Sequence, residues 1–401
     1  MRPAATSRVD DHGKAVPKTD DELCQVSLFR TRSLARTCVV MVMASVLYLL
    51  GSPESVRGET MLAVGSLYAP DARGEVASKP LVLRLAAESG WSLVPLDTVL
   101  DAGALMTATM VGENAFAFGV RAGGPLILKS NDAGQTWVDV TGSFEYYAPG
   151  QTPLAGIFSD DQVGWVVAQV GFGSGPNLFV TEDGGGSWRL AGEGGPLVAR
   201  GIFGLRLVGA GVQVAASGPT GTSLRTFDGL QLRVEPGEGT HLRAAAFAAS
   251  GDRWWAVGRE GWTPDGGPDV ATIQSSVPGQ PWGGTRIELG ERVDLNSIKF
   301  CDPAHGVVGG SVVLGGRDPD ALLLTTADGG GAWRQVDLPS GLGPSRIGGL
   351  GCVDPESVWA AVNRVGEAGS MLLHSTDRGS SWAQIPSMVE TNGRIRAFTH
   401  N

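Results

Sequence analysis

One eight-residue pattern recurs four times along the chain, and it limits the possible folds more than any other feature of the sequence. Its common form is [S/T]-x-D-x-G-x-[S/T/A]-W, called the aspartate motif below. The aspartate and final tryptophan of the four copies are Asp132 and Trp137, Asp183 and Trp188, Asp328 and Trp333, and Asp377 and Trp382. Weaker copies occupy 226–233 and 275–282, and a last trace ends at Trp91.

The copies are evenly spaced. Their final positions are 91, 137, 188, 233, 282, 333 and 382, so the gaps are 46, 51, 45, 49, 51 and 49 residues. A constant period near 50 residues indicates an array of one supersecondary unit, and a propeller blade has that size. Short apolar segments precede each copy, which gives a unit of four strands: A innermost, then B, then C ending at the motif, and D beginning at its tryptophan.

The composition of the motif explains its form. An aspartate side chain accepts hydrogen bonds from backbone N–H groups just ahead of it and so fixes a tight turn. The glycine two residues later provides the positive φ of that turn, and the tryptophan packs on the preceding strand. Because one active site has no use for the same aspartate in every blade, we assign these aspartates a structural role.

The units predict an all-β fold, a seven-bladed β-propeller of four-stranded antiparallel blades. Blades one to six are expected at 102–141, 152–191, 199–236, 241–289, 295–338 and 345–388. The segment 394–398 is then an unpaired A strand, whereas 61–65, 81–85 and 91–95 form strands B, C and D without an A strand. Pairing the C-terminal strand with the N-terminal blade completes the seventh blade and leaves no open sheet edge at the seam.

The first 52 residues have a different character. Three arginines, Arg30, Arg32 and Arg36, precede an apolar run at 38–50, and small polar residues follow it. This order is typical of a secretory signal, and the run is short for a membrane span, which needs about 20 residues. We therefore predict a leader at 1–52, either a cleaved signal or an anchor, and the propeller at 53–401. The protein is expected to be exported: periplasmic, secreted, or anchored on the outer side of a membrane.

The predicted propeller is acidic. Beyond residue 52 there are 24 Lys and Arg (31 minus 7) and 36 Asp and Glu (41 minus 5), a net charge of −12. This balance disfavours nucleic acid and anionic membrane surfaces as partners. The five histidines never take metal-ligand spacing, and no nucleophile elbow or phosphate-binding loop occurs. We thus predict a monomeric propeller with no cofactor, no metal and no assigned catalytic residue; membrane contact is expected only through an anchor.

Two cysteines lie one repeat apart. Cys301 and Cys352 each follow an A strand, in neighbouring blades, and A strands crowd near the propeller axis. Two buried free thiols and a disulfide are both compatible with this placement.

Candidate binding residues lie on the face formed by the B–C and D–A connections, called the loop face below. The opposite face carries the A–B and C–D turns, including the aspartate motifs, and is called the motif face. Loops that vary on a rigid repeat usually carry binding. The candidates are Trp262, a tryptophan with no place in the repeat; Phe144, Tyr146 and Tyr147 after blade one; and Arg121, Arg259, Arg317 and Arg364 at or beyond the ends of B strands.

The motifs resemble the Asp-box, or BNR, repeats of sialidases. The fuller unit, with GWVV at 164–167 and TEDGGGSW at 181–188, is most similar to the photosystem II assembly and stability factor family. That resemblance implies a non-catalytic, exported seven-bladed propeller that binds a protein partner and aids assembly of a complex. The sialidase resemblance implies the alternative, a carbohydrate-active propeller that hydrolyses or binds a glycan. The R-I-P motif of sialidases is absent, which favours the non-enzymatic interpretation.

Overall fold

The propeller is seen in a computed structural model. The structure describes residues 60–70, 76–86, 90–96, 103–121, 124–170, 176–191, 201–209, 211–218, 221–227, 232–235, 242–260, 270–277, 280, 282–287, 292–313, 318–366, 369–386 and 393–400. The leader predicted at 1–52 lies outside these residues. Within them, no helix has the length and apolar character needed to cross a bilayer.

The described strands form seven four-stranded antiparallel sheets, which are the predicted blades. The first three blades are β4 (Gly103–Val111), β5 (Asn114–Arg121), β6 (Gly124–Ser130) and β7 (Val138–Asp139); β8 (Gln151–Phe158), β9 (Gly164–Val170), β10 (Asn177–Thr181) and β11 (Arg189–Leu190); and β12 (Gly201–Val208), β13 (Gly211–Gly218), β14 (Gly221–Phe227) and β15 (Leu232–Glu235).

Blades four to seven follow the same order. They are β16 (Leu242–Ser250), β17 (Arg253–Glu260), β18 (Val270–Ser276) and β19 (Gly283–Ile287); β20 (Arg292–Phe300), β21 (Gly306–Val313), β22 (Asp320–Thr326) and β23 (Arg334–Gln335); β24 (Ser345–Cys352), β25 (Val358–Arg364), β26 (Ser370–Ser375) and β27 (Ala383–Ile385); and β28 (Gly393–His400) with β1 (Met61–Pro70), β2 (Val76–Ala86) and β3 (Gly90–Leu93).

The predicted closure of the ring is confirmed. Strand β28 is the innermost strand of the seventh blade and pairs antiparallel with β1, from Met61 opposite His400 to Leu67 opposite Gly393. Ile395 of β28 is buried in the same apolar cluster as Leu81 and Leu83 of β2. The two ends of the chain therefore share one core, and the inner edge of β1 is covered by a partner strand.

Every inner strand carries a β-bulge at the same level. The extra residues are Met106, Leu154, Phe203, Ala245, Asn296, Gly348 and Arg396. The residue after each bulge is small: Thr107, Ala155, Gly204, Ala246, Ser297, Gly349 and Ala397. A bulge increases local twist, and small residues allow close approach of backbones. This layer therefore lets seven strands converge around the axis.

Apolar side chains fill the spaces between adjacent blades. One such cluster joins Trp255 of blade four to Phe300 of blade five, and their stacked ring centroids are 5.0 Å apart. Another stacks Phe116 of blade one on Phe158 of blade two at 3.6 Å. Each blade is thus stabilised by its two neighbours, as in other repeat architectures.

One element departs from the expectation of an all-β chain. The connection after blade one contains a short helix, α1 (Thr141–Tyr147). Thr141 at its start is buried and accepts a hydrogen bond from the backbone N–H of Ile127. The helix is therefore attached to strand β6 rather than projecting as a free loop.

Candidate binding surface

Helix α1 fills the outer rim between blades one and two. The Ser143 hydroxyl donates to the carbonyl oxygen of Gly185 in blade two, at 2.5 Å. Phe144 is completely buried and packs edge-on against Phe179 and Trp188, with centroids 5.4 Å away in both cases. The prediction that Phe144 belongs to an exposed binding surface is therefore wrong. Its position on a helix turns the ring inward, which the sequence, read as a loop, did not indicate.

Tyr146 and Tyr147 lie on the outside of the same helix. Their side chains are 79% and 47% exposed, and their rings meet edge to face at 4.9 Å. Exposed tyrosines offer large apolar area and a hydroxyl at small cost in side-chain entropy. The buried ring of Phe144 holds α1 against blade two, so the tyrosine pair projects from a helix that is packed in place.

Arg121 ties strand β5 to the connection after blade one. Its guanidinium donates to Asp139 at 2.9 Å and to Glu145 on α1 at 3.2 Å. Both carboxylates are partly shielded from solvent, and both form ion pairs with the guanidinium of Arg121. Arg121 therefore positions α1 and differs from the free anion-binding residue that the sequence suggested.

The structure describes the other predicted arginines only in part, and it does not describe Trp262. Arg364 is exposed at the end of β25, opposite Ser345, the first residue of the adjacent inner strand; Arg121 is likewise opposite the first residue of its neighbour, Gly103. The backbone of Arg259 lies one residue before the end of β17, opposite Arg243 of β16. Trp262 and Arg317 lie outside the described residues.

Three arginines that the sequence analysis missed lie near the beginnings of two adjacent inner strands. Arg346 on β24 and Arg394 and Arg396 on β28 are exposed, whereas Ile347 and Ile395 beside them are buried. The inner strands begin on the loop face, so these guanidiniums add positive charge to that side of the axis. The alternation R-I-R at 394–396 is the signal that could have revealed them, because alternate strand residues face opposite ways.

The aspartate motifs lie on the opposite face and make closely similar turns. In blade two, Asp183 accepts hydrogen bonds from the Thr181 hydroxyl at 2.8 Å, the Ser187 backbone N–H at 2.8 Å and the Ser187 hydroxyl at 2.6 Å. The Gly185 N–H donates to the Thr181 hydroxyl at 2.9 Å. The glycines that follow the four aspartates all have positive φ: 80° at Gly134, 91° at Gly185, 86° at Gly330 and 82° at Gly379.

These bonds favour the ionised aspartate. Burial opposes ionisation of Asp132, but hydrogen bonds from Thr136 and Ser130 outweigh it and lower its pKa to about 2. Hydrogen bonds from Ser187 likewise lower the pKa of Asp183. Such carboxylates are held as acceptors in turns, and they do not have the raised pKa of a general acid.

The two predicted cysteines meet between blades. Cys301 follows β20, Cys352 ends β24, and their sulfur atoms are bonded with the Cα atoms 5.8 Å apart. The geometry thus corresponds to the disulfide and not to the pair of free thiols. The bond links the A–B turns of blades five and six on the motif face.

The axis of the propeller contains a cavity of about 350 Å³. Its lining comes from the middle and second halves of five inner strands, β4, β8, β12, β20 and β28, and includes Thr107, Thr109, Lys299 and His400. No Asp or Glu of the described residues lines it. Elsewhere in the described residues, no group of three His, Cys, Asp or Glu side chains is arranged to hold a metal ion.

Comparison with known proteins identifies relatives by structure alone. No protein-family model and no curated protein matches the chain. YCF48 bound to a D1 peptide matches with a TM-score of 0.54 and 17% identity over 80% of this chain and 94% of that one. YCF48 from Cyanidioschyzon merolae matches with 0.51 and 17% over 73% and 87%. A protein from Lactobacillus plantarum matches with 0.55 and 14% over 86% and 99%. The chain therefore shares the fold of YCF48, a photosystem II assembly factor, and of other β-propellers.

Proposed function

We propose that this protein is an exported, non-enzymatic scaffold that binds a protein partner through its loop face. The observation that carries the proposal is the exposed pair Tyr146 and Tyr147, seated on a helix that Phe144 and Arg121 hold in place. Tyrosine is enriched at protein interfaces, and a fixed backbone reduces the entropy lost on binding. YCF48, whose fold this chain shares, has been observed with a bound peptide, which supports the same kind of use here.

The charges of the loop face suit an acidic segment of the partner. Arg364 lies at the end of β25, and Arg346, Arg394 and Arg396 lie on neighbouring inner strands, all exposed. Arginine forms bidentate hydrogen bonds with carboxylates and stacks on aromatic side chains. Because the rest of the propeller is acidic, these residues favour docking in one orientation over non-specific attraction.

A capture experiment tests the proposal. The wild-type protein and the double variant Tyr146→Ala/Tyr147→Ala are used as baits for the exported protein fraction, with Leu190→Ala, another exposed apolar residue at 47%, as the matched control. We expect the double variant to lose partner affinity by about 30-fold or more, equivalent to about 2 kcal/mol, with unchanged thermal stability. Equal capture by all three baits would contradict the proposed surface.

Glycan binding by the same surface is the alternative function. An exposed tyrosine can also stack on a sugar ring. A glycan array and a glycosidase assay with the same three proteins separate the two functions. Retention of a glycan that depends on Tyr146 and Tyr147, without capture of any protein, would favour the carbohydrate-binding alternative.

A further inference from the structure

The axial cavity contains a lysine that the repeat does not require. Lys299 lies on β20, three residues beyond the bulge at Asn296. The equivalent residues of the other inner strands are Thr109, Ile157, Arg206, Ala248, Gly351 and Thr399. Most of these are small or uncharged, so a blade closes on the axis without a cation at this level.

Arg206, the other cation at this level, is paired. Its guanidinium donates to Gln213 at 2.9 Å and to the carbonyl oxygen of Gly251 at 2.9 Å, and it lies over the ring of Trp254. Lys299 makes no hydrogen bond or ion pair with any described residue. Among the described residues at this level, Lys299 is thus the cationic side chain without a hydrogen-bond or ion-pair partner.

Lys299 is half-buried, and the described residues around it supply no carboxylate as a counter-charge. Desolvation lowers the pKa of its ammonium group. Of the other described residues that line the cavity, His400 alone is titratable, and it has its own interaction. A desolvated ammonium without an anion is unfavourable, and an entering anion would restore its charge.

The rest of the lining indicates the class of anion. Hydroxyl groups are available on Thr107, Thr109 and Thr399, and most of the surface open to the cavity is polar. Apolar residues beside the cavity, such as Met110, Ile157 and Phe398, pack into the clusters between blades. One lysine among the described lining residues suits a group with a single negative charge, and threonine hydroxyls can donate hydrogen bonds to its oxygen atoms. The volume of about 350 Å³ lies within the range of small-ligand pockets.

We propose that the axial channel is a binding site for a small organic carboxylate, whose carboxylate group pairs with Lys299 and accepts hydrogen bonds from threonine hydroxyls of the channel wall. The lining comes from the middle and second halves of the inner strands, toward the motif face. The described lining therefore includes neither the tyrosine pair nor the exposed arginines of the loop face.

Calorimetry on the full chain tests the site with benzoate, acetate and inorganic phosphate as probes. We expect the monocarboxylates benzoate and acetate to bind more tightly than phosphate, because one ammonium group matches one negative charge. The variant Lys299→Met should weaken benzoate binding about ten- to a hundredfold, whereas Lys79→Met, which removes a half-buried lysine on β2, should leave it unchanged. Tighter binding of phosphate than of benzoate, or equal binding by Lys299→Met, would overturn the proposal.

Proton uptake provides a readout in the wild-type protein. Because the free ammonium has a lowered pKa and the paired ammonium does not, benzoate binding should take up protons above the pKa of free Lys299. Titrations in two buffers of different ionisation enthalpy measure this uptake, and affinity should fall as pH rises, by at most about tenfold per unit. Benzoate binding without proton uptake at any pH from 6 to 10 would also overturn the proposal. Tyr146→Ala/Tyr147→Ala should leave both readouts unchanged, which separates this site from the proposed partner surface.

Discussion

At the scale of single residues, the side chains of the aspartate motif stabilise turns, whereas His374 beside one motif makes a different set of contacts. Asp183 and its three equivalents accept hydrogen bonds within their own turns, so their ionisation stabilises hairpins. His374 is an exception, since it precedes a motif yet faces inward. Its ring stacks on Trp359 at 4.0 Å, and Nε2 lies 2.9 Å from the Ser357 hydroxyl.

His374 should make the protein less stable in mild acid. Burial lowers its pKa to about 4, from an ordinary value of 6.5, although nearby Asp354 opposes the shift. The unfolded chain therefore binds a proton below pH 6.5 that the folded chain does not bind until about pH 4, so stability is lost as pH falls between these values. We expect a loss on the order of 2 kcal/mol, allowing for solvent screening.

The variant His374→Gln tests this expectation, because glutamine does not titrate and retains a hydrogen-bonding group for Ser357. Urea unfolding at pH 4.5 and pH 7.5 should show a smaller difference for the variant than for the wild type. The replacement His305→Gln, at an A–B turn, provides a histidine control. An identical pH dependence in wild type and His374→Gln would show that another group titrates.

At the scale of elements, α1 has two sides with separate roles. Phe144 faces the core between blades one and two, whereas Tyr146 faces solvent. Arg121 attaches the same helix to the end of β5, and Ser143 attaches it to the motif turn of blade two. The element is therefore a wedge between blades that also presents the tyrosine pair.

Removing the buried side chain of α1 should lower the stability of the protein, whereas removing an exposed side chain of α1 should not. Phe144→Ala removes a fully buried ring and should lower the free energy of unfolding by about 3–5 kcal/mol. Tyr146→Ala should change it by about 0.5 kcal/mol or less, because that side chain is 79% exposed. Chemical denaturation measures both values. A larger loss for Tyr146→Ala than for Phe144→Ala would reverse the assignment of the two sides.

The disulfide connects two elements of neighbouring blades. Cys301 and Cys352 are 51 residues apart in the chain, so the bond restricts a long loop of the unfolded state. Replacing both with serine should lower stability by about 2–4 kcal/mol. Mass spectrometry of the non-reduced exported protein, with alkylation, checks that the bond exists. Two alkylatable thiols in that protein would contradict it.

At the scale of the whole molecule, stability depends on closing the ring through β28. The pairing of β28 with β1, called the seam, has the same bulged register as the pairing of inner strands in the other blades. Gly65 of β1 lies opposite the residue before this bulge, where a Cβ atom would be 1.9 Å from the carbonyl oxygen of Arg394. Gly119 has the corresponding position within blade one, 2.0 Å from the oxygen of Ala104.

Substitution of Gly65 tests the importance of the seam without shortening the chain. Gly65→Val should separate β28 from β1 and expose an inner sheet edge, lowering the melting temperature by about 10 °C or more. Gly119→Val is the matched variant, since it disturbs the same contact between strands joined by a short turn. We expect Gly65→Val to show the greater exposure of β28 in hydrogen exchange. Equal exchange of β28 in both variants would indicate that closure does not rely on this pairing.

The sequence by itself determined the number of blades, the four-strand unit and the seam, because a period near 50 residues and one turn motif repeat along the chain. The turn motif is local and the period comes from its repetition, and the seam follows because each remnant blade supplies the strands that the other lacks. Only the tertiary structure decided that Phe144 is buried, that Arg121 is paired and that Lys299 lies in the axial cavity. The partners of these side chains lie on other strands or in other blades, so burial and pairing depend on how strands pair and blades pack.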